Sequence, residues 1–419
     1  LSQVQSIKDI PQLTHALFPG THCPLMGAAM AVGGIKDSLI VVVGTDECTY
    51  YTKSMTIHSE KFGGIDGRCV SVVLDDHDVT FGSAEKVQGA FKEIIEEYRP
   101  QCVFLVTTCV IEIIGDDFDA ISEGLSELYG IPVLPVHTEH FKCEDHLPGL
   151  ERTITVCAEM MKSCDCDNSV NLLGQRMGDF ATTELYAMLQ KAGVKIGLQL
   201  PCGCSVDDIK NAAAAKVNIV VNDIALPLAQ KMQEKFGIPY VYFNKFVIPE
   251  KIYEAYKNLF GYLELELPGE LEGLYQNARE KIEKNKGELE GITYIYGNTP
   301  YAVFEMNCFL SSLGMVPQVI QTNRYTEADE PYAKEILQYT DPYVCKAANI
   351  APLQYVYDVL SPYLYLGHEF GNRLRQKGIA IVHSDRASGM LGFEVTGYLL
   401  QQLVKSVREA KEYRKELCL

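Results

Sequence analysis

Val103-Phe-Leu-Val-Thr-Thr-Cys109-Val-Ile-Glu-Ile-Ile-Gly115-Asp-Asp117 runs from an apolar strand pattern through a turn into a helix, with Cys109 at the switch. A parallel strand delivers its last residues to the carboxyl edge of a sheet, where open α/β folds build their sites. A thiolate at that point meets the N-terminal field of the following helix, which is a good place to hold iron. The competing reading of a cysteine after a buried strand is a small apolar filler.

The same alternation extends outward from this stretch. Upstream, Cys23-Pro24 opens a helix with proline at its first position, where the missing N–H costs nothing. Leu39 to Val43 is a strand ending in the turn Gly44 to Tyr51, Val70 to Leu74 is another, and Ser83 to Tyr98 is a helix. Downstream come a helix from Asp117 to Tyr129 and a strand from Ile131 to Val136. Strand–helix–strand order of this kind predicts parallel pairing with helical crossovers. The polar break Ser163-Cys-Asp-Cys-Asp-Asn-Ser169 ends the first unit, and the alternation restarts at Val170. Tyr275 to Glu290, rich in Lys and Glu, reads as a solvated connector. A third unit opens at Ile292 and closes with a long helix from about Phe393 to Glu416. The expected architecture is three α/β units, 1–165, 166–290 and 291–419.

A net charge of −18 over 419 residues leaves no basic stripe for nucleic acid. No apolar run approaches bilayer-spanning length, and Leu1 to Lys8 lacks the pattern of a secretory signal, so the expectation is a cytoplasmic protein with no membrane contact. Fourteen cysteines without an export signal favour thiols and metal ligands over disulfides. No phosphate loop, dinucleotide fingerprint or Gly-x-Ser-x-Gly elbow is present, so any nucleotide would have to be bound by a partner chain.

Cys102, Cys157 and Cys308 lie in apolar or helical runs and are expected in the core. Cys23, Cys48 and Cys109 instead sit at strand–helix junctions of one unit, which share a sheet edge and so converge despite their separation in sequence. Iron-sulfur clusters are held by thiolates, usually four per 4Fe-4S unit, so three from one chain leave the remainder to another chain or to a non-thiol group.

Four motifs carry a resemblance. His22-Cys23-Pro-Leu-Met-Gly-Ala-Ala-Met30, Gly44-Thr-Asp-Glu-Cys48-Thr-Tyr-Tyr51, Val79-Thr-Phe-Gly-Ser-Ala-Glu-Lys86 and Thr107 to Asp117 are similar to nitrogenase component 1, nearest to the β-type subunit of the molybdenum-iron protein and its relatives. Val136-His-Thr138, the Gly174 turn and Leu391-Gly-Phe-Glu394 extend the likeness along the chain. The resemblance implies three Rossmann-like domains with parallel sheets around a central cavity. It implies that Cys23, Cys48 and Cys109 ligate an interfacial iron-sulfur cluster, a 4Fe-4S cluster or an eight-iron P-cluster, shared with a second component 1 subunit, homologous or identical. Tyr50 and Tyr51 would shield that cluster, line the electron path or simply pack a helix. An ATP-binding iron protein would deliver electrons through it to a substrate or second metal centre, with a second metallocofactor or a tetrapyrrole in the cavity. The implied function is that of a subunit of an anaerobic, ATP-dependent reductase. The alternatives are a scaffold on which a complex iron-sulfur cofactor is assembled, or a reductase of a tetrapyrrole or small sulfur compound.

The chain departs from the family's α-type pattern. Val221, or Asn222 with a one-residue slip, stands where the cofactor-binding cysteine is expected, while His383 falls near the cofactor histidine. His383, Cys202 and Cys204 are therefore cavity candidates. Cys164 and Cys166 read as an exposed linker. His137, His140, Cys143, Asp145 and His146 read as a polar contact cluster with metal-ligand potential. No catalytic residue is assigned.

Overall fold

Leu39 to Val43 and Val103 to Val106 are apolar at every position, a pattern that suits strands covered by helices on both faces. The computed structural model describes residues 1–13, 22–57, 67–143, 145–176, 178–297, 299, 301–346 and 350–418. In it both runs are central strands of a fully parallel sheet. Its members are β2 (Ser38–Gly44), β3 (Cys69–Val73), β4 (Cys102–Thr107) and β5 (Val133–Val136), in the order β3-β2-β4-β5. Leu39 lies opposite Val103, and Ile40 opposite Cys69.

A second parallel sheet, ordered β10-β9-β6-β7, is built from β6 (Val170–Gln175), β7 (Ile196–Pro201), β9 (Val217–Val220) and β10 (Tyr240–Tyr242). A third, ordered β13-β12-β11-β14-β15, takes β11 (Thr293–Tyr296), β12 (Val316–Gln321), β13 (Tyr343–Cys345), β14 (Leu364–Leu366) and β15 (Ala380–Val382). The α/β class with parallel sheets expected from the alternation is the class observed.

The first two sheets are joined by features too short to leave a periodic signal. β1 (Ile35–Lys36) pairs in parallel with β8 (Cys204–Ser205), placing Ile35 opposite Cys204. One continuous core then runs from Leu25, Phe104 and Leu150 to Leu173, Cys204 and Met232. The amino-terminal segment belongs spatially to the third sheet: Leu1 and Ile10 lie in its core, and Lys346 N donates to Pro11 O at 2.9 Å. The helix Leu271–Leu289 buries Leu271, Ala278 and Leu289 and packs against the terminal helix Phe393–Glu416, with Arg408 paired to Glu288 at 2.7 Å. The charged stretch is thus a packed helix as well as a link. No helix among the described residues is long and apolar enough to cross a membrane.

Glu305, in the helix Val303–Ser312, is 4% exposed and accepts Val247 N–H at 3.1 Å, tying the third unit to the chain that follows β10. Burial pushes its carboxyl up to about 7, opposed by the Val247 N–H, the Lys251 charge and the Ile248 N–H. Between the ordinary value of 4.5 and about 7 the folded state keeps a proton that the unfolded state has lost, so stability falls as pH rises through that window. Glu305→Gln keeps an acceptor without the charge. Urea unfolding is expected to show the variant more stable than wild type by about 2–3 kcal/mol at pH 8 and indistinguishable from it near pH 4.

Candidate functional site

Each of the three junction cysteines sits at the start of a helix, for a different local reason. Cys23 is the N-cap residue of the helix Pro24–Gly33, and Pro24 occupies its first turn. Cys48 lies in the first turn of the helix Asp46–Ile57 that follows β2. Cys109 is the first residue of the helix Cys109–Ile114 that follows β4, with Thr108 as its N-cap. Three helix N-termini, each with backbone N–H groups free of intrahelical partners, therefore carry the three sulfurs.

The sulfurs meet. Burial raises the Cys109 thiol above its ordinary value and the neighbouring Cys48 adds to the rise; the N–H groups of Val110 and Cys109 oppose it, and Cys23 raises it further. All three cysteines are free and half-buried, accessible to a ligand yet shielded from bulk water. The Thr108 hydroxyl, buried beside Cys109, has no hydrogen-bond partner among the described residues. It lies tight against the end of β2, where a Cβ on Gly44 would meet Thr108 Oγ1 at 2.1 Å. Neighbouring soft thiols, N–H groups at the Cys109 sulfur and a buried hydroxyl are a donor set that fits an iron-sulfur cluster. Among the described residues no three His, Cys, Asp or Glu side chains close on one point as ligands of a single metal ion. A cluster spreads its thiolates over separate irons, so the wider convergence suits it.

Close helix packing holds this geometry. A Cβ on Gly27 would meet His146 O at 1.9 Å, and one on Gly149 would meet Pro24 O at 1.9 Å. The Cys23-capped helix and the helix Leu147–Val156 thus touch backbone to backbone. The remaining residues of the central motif are bracing. Gly115 ends the Cys109 helix with φ +83°, Asp116 accepts from Ser83 N at 2.7 Å and Ser83 Oγ at 2.5 Å, and Asp117 caps the next helix through Ala120 N at 3.0 Å.

Glu112 is the brace that the motif reading missed. Its carboxylate accepts from Thr107 Oγ1 at 3.0 Å, Thr138 Oγ1 at 3.0 Å, His140 N at 3.2 Å and Glu139 N. It locks the Cys109 helix to the turn after β5 and lines a cavity of about 360 Å³ with Asp116, His137 and Phe141. The available signal was that Glu112 is the only charged residue in that helix. Glu112→Ala removes the acceptor of the Thr138 hydroxyl and of two N–H groups while the Thr107 hydroxyl keeps Val136 O at 3.3 Å, and chemical denaturation is expected to register a loss of about 2 kcal/mol, most of it recovered by Glu112→Gln.

The exposed rim of this edge carries large apolar side chains, Tyr50, Phe81 and Ile113, each more than 70% exposed, beside the exposed acids Asp46 and Glu47. The side chain of Tyr51 lies outside the described residues.

The other candidates separate. Cys202 is half-buried and donates through sulfur to Arg176 O at 3.0 Å, whereas Cys204 is core, paired through β8 and close to Cys157. His383 is exposed, and its carbonyl accepts from Tyr398 Oη at 3.2 Å. Val221 is fully buried after β9, and Asn222 accepts from Ile224 N at 3.2 Å. Cys164 and Cys166 are exposed, while Cys102, Cys157 and Cys308 are core. The polar cluster disperses: His137 pairs with Asp119 at 3.1 Å, Cys143 contacts Arg152 at 3.7 Å, and His146 contacts Arg176 at 3.3 Å.

The solved structure of nitrogenase Cp1 at pH 6.5 superimposes with a TM-score of 0.80 over 95% of this chain and 94% of that one, at 15% identity, which establishes a shared fold. The nitrogenase iron-molybdenum cofactor biosynthesis protein NifE of Clostridium pasteurianum is 31% identical over 52% of this chain. The nitrogenase molybdenum-iron protein alpha chain of Methanosarcina barkeri is 24% identical over 75% of it. The chain spans 49% and 62% of these two curated relatives. Their names are those of NifE and an alpha chain, so the finer likeness to a β-type subunit is not carried by them. The model of the nitrogenase component 1 type oxidoreductases matches residues 23–408, nearly the whole sequence. The chain belongs to that family.

Proposed function

We propose that this protein is the cluster-bearing subunit of a cytoplasmic component 1-type complex on which a complex iron-sulfur cofactor is assembled. The observation that carries the reading is the placement of Cys23, Cys48 and Cys109 at three helix starts, with Cys48 and Cys23 near enough to act on the Cys109 thiol. Together they supply part of the thiolate set of one cluster, of the 4Fe-4S or P-cluster type, completed by a second component 1 subunit seated on the rim around Tyr50, Phe81 and Ile113. Bound there, the cluster supplies one-electron redox chemistry, and the chain's own part is to present three sulfurs, aim N–H groups at them and exclude water. The absence of a thiol at Val221 and the NifE name of a relative support assembly over turnover.

The second reading is an ATP-dependent reductase fed by an iron protein, favoured by the alpha-chain relative. The two are separated by incubating the anaerobically purified complex with a cofactor-free component 1 acceptor. Assembly predicts transfer of iron and sulfide to the acceptor without substrate turnover. Failure of transfer, combined with electron uptake that requires ATP and an iron protein, would replace assembly by the reductase reading.

A further inference from the structure

The hydroxyls that neighbour the cysteines are not treated alike. Thr49, next to Cys48, meets Ser71 Oγ through its hydroxyl at 2.8 Å. Thr107 Oγ1 donates to Glu112 at 3.0 Å and accepts the Thr138 N–H at 3.0 Å. Thr108, next to Cys109, is 3% exposed, and its buried Oγ1 has no partner among the described residues. A buried hydroxyl left unbonded is costly, and valine would fill the same space without that cost.

Thr108 is also the N-cap of the Cys109 helix, with extended backbone at φ −112° and ψ 171°. From that position a threonine usually accepts the N–H of the second or third helical residue, yet this one makes no such bond. The second residue is Val110, and its N–H goes to the Cys109 sulfur instead. The sulfur has taken the cap's task and left the hydroxyl free. Its place in the fold is between two ligand-bearing turns. β2 and β4 are paired with Val43 opposite Thr107, so Gly44 and Thr108 come next on either strand. A Cβ on Gly44 would fall 2.1 Å from Thr108 Oγ1 and 2.6 Å from its Cγ2, so the glycine leaves the notch that the threonine side chain fills. Gly44 leads to Cys48 and Thr108 to Cys109.

We propose that the Thr108 hydroxyl donates a hydrogen bond to a sulfur of the cluster held by Cys23, Cys48 and Cys109, and thereby raises its reduction potential. This rests on the cluster reading and deepens it, making Thr108 a positioning residue that is not itself a ligand. A hydrogen bond to sulfur favours the reduced, more negative cluster, which is why its loss lowers the potential.

The test compares wild type, Thr108→Val and Thr108→Ser in the anaerobically purified complex, by iron and sulfide content and by a redox titration followed by electron paramagnetic resonance. Thr108→Val keeps the shape and removes the donor, so its cluster is expected at a lower midpoint potential than wild type. Thr108→Ser keeps the hydroxyl and drops the methyl, and is expected at the wild-type potential. Equal potentials in wild type and Thr108→Val, or the same shift in both variants, overturn the proposal, while their iron content leaves the cluster reading standing. A second measurement does not depend on loading. The iron-free Thr108→Val chain is expected to melt at or above the wild-type temperature, because no bonded hydroxyl has been lost. A lower melting temperature means that the protein or a water already bonds the hydroxyl, and overturns the proposal. A wild-type complex without iron overturns the cluster reading, and this assignment with it.

Discussion

Cys109→Ala is expected to lower the iron and acid-labile sulfide of the anaerobically purified complex by about tenfold or more, because each missing thiolate leaves an iron open to solvent. The chain itself should stay folded. Cys109 is half-buried at the first position of a helix, where alanine is well tolerated, so denaturation should show a change of no more than about 1 kcal/mol. Cys102→Ala provides the opposite pattern. Cys102 is fully buried at the start of β4, far along the strand from the site, so this variant should lose about 1–2 kcal/mol of stability and keep its iron. Iron lost in both variants, or in neither, would contradict the division between ligand and filler.

Gly27→Ala is expected to be among the most damaging single methyl additions in the chain. The new Cβ would lie 1.9 Å from the backbone oxygen of His146, an atom fixed by its own helix, so relief requires the two helices to separate. Overpacking of this kind costs about 3 kcal/mol or more, seen as a lower denaturation midpoint. Because Cys23 caps the displaced helix, iron loading should fall as well. Gly124→Ala is the control: it lies in the helix Phe118–Tyr129 with nothing within 4 Å of its added methyl, and it should stabilise by about 0.5–1 kcal/mol.

Some of this was open to reading from the sequence and some was not, for physical reasons. Leu39 to Val43 and Val103 to Val106 declare a buried parallel sheet because no polar residue interrupts them. Gly115 and Asp117 declare a helix end and a helix start, and both occupy those positions. The pairing of Ile35 with Cys204 could not be seen, since two residues carry no period, and with it went the assignment of Cys204 to the core. Docking of Leu1 and Ile10 on the third sheet is a tertiary contact between the two ends of the chain, invisible to any local pattern. Thr108 and Glu112 sat inside the recognised motif, yet their roles depend on partners in other elements, Gly44 and the turn at Thr138 and Glu139.

The central claim is that three cysteines of this chain ligate iron at a junction with a second subunit. Anomalous diffraction at the iron edge, from crystals of the anaerobically purified complex, tests it most directly. The account predicts iron peaks within bonding distance of the sulfurs of Cys23, Cys48 and Cys109, on the surface shared with the partner chain. Iron absent from those sulfurs, or found instead at Cys202 or His383, would contradict it.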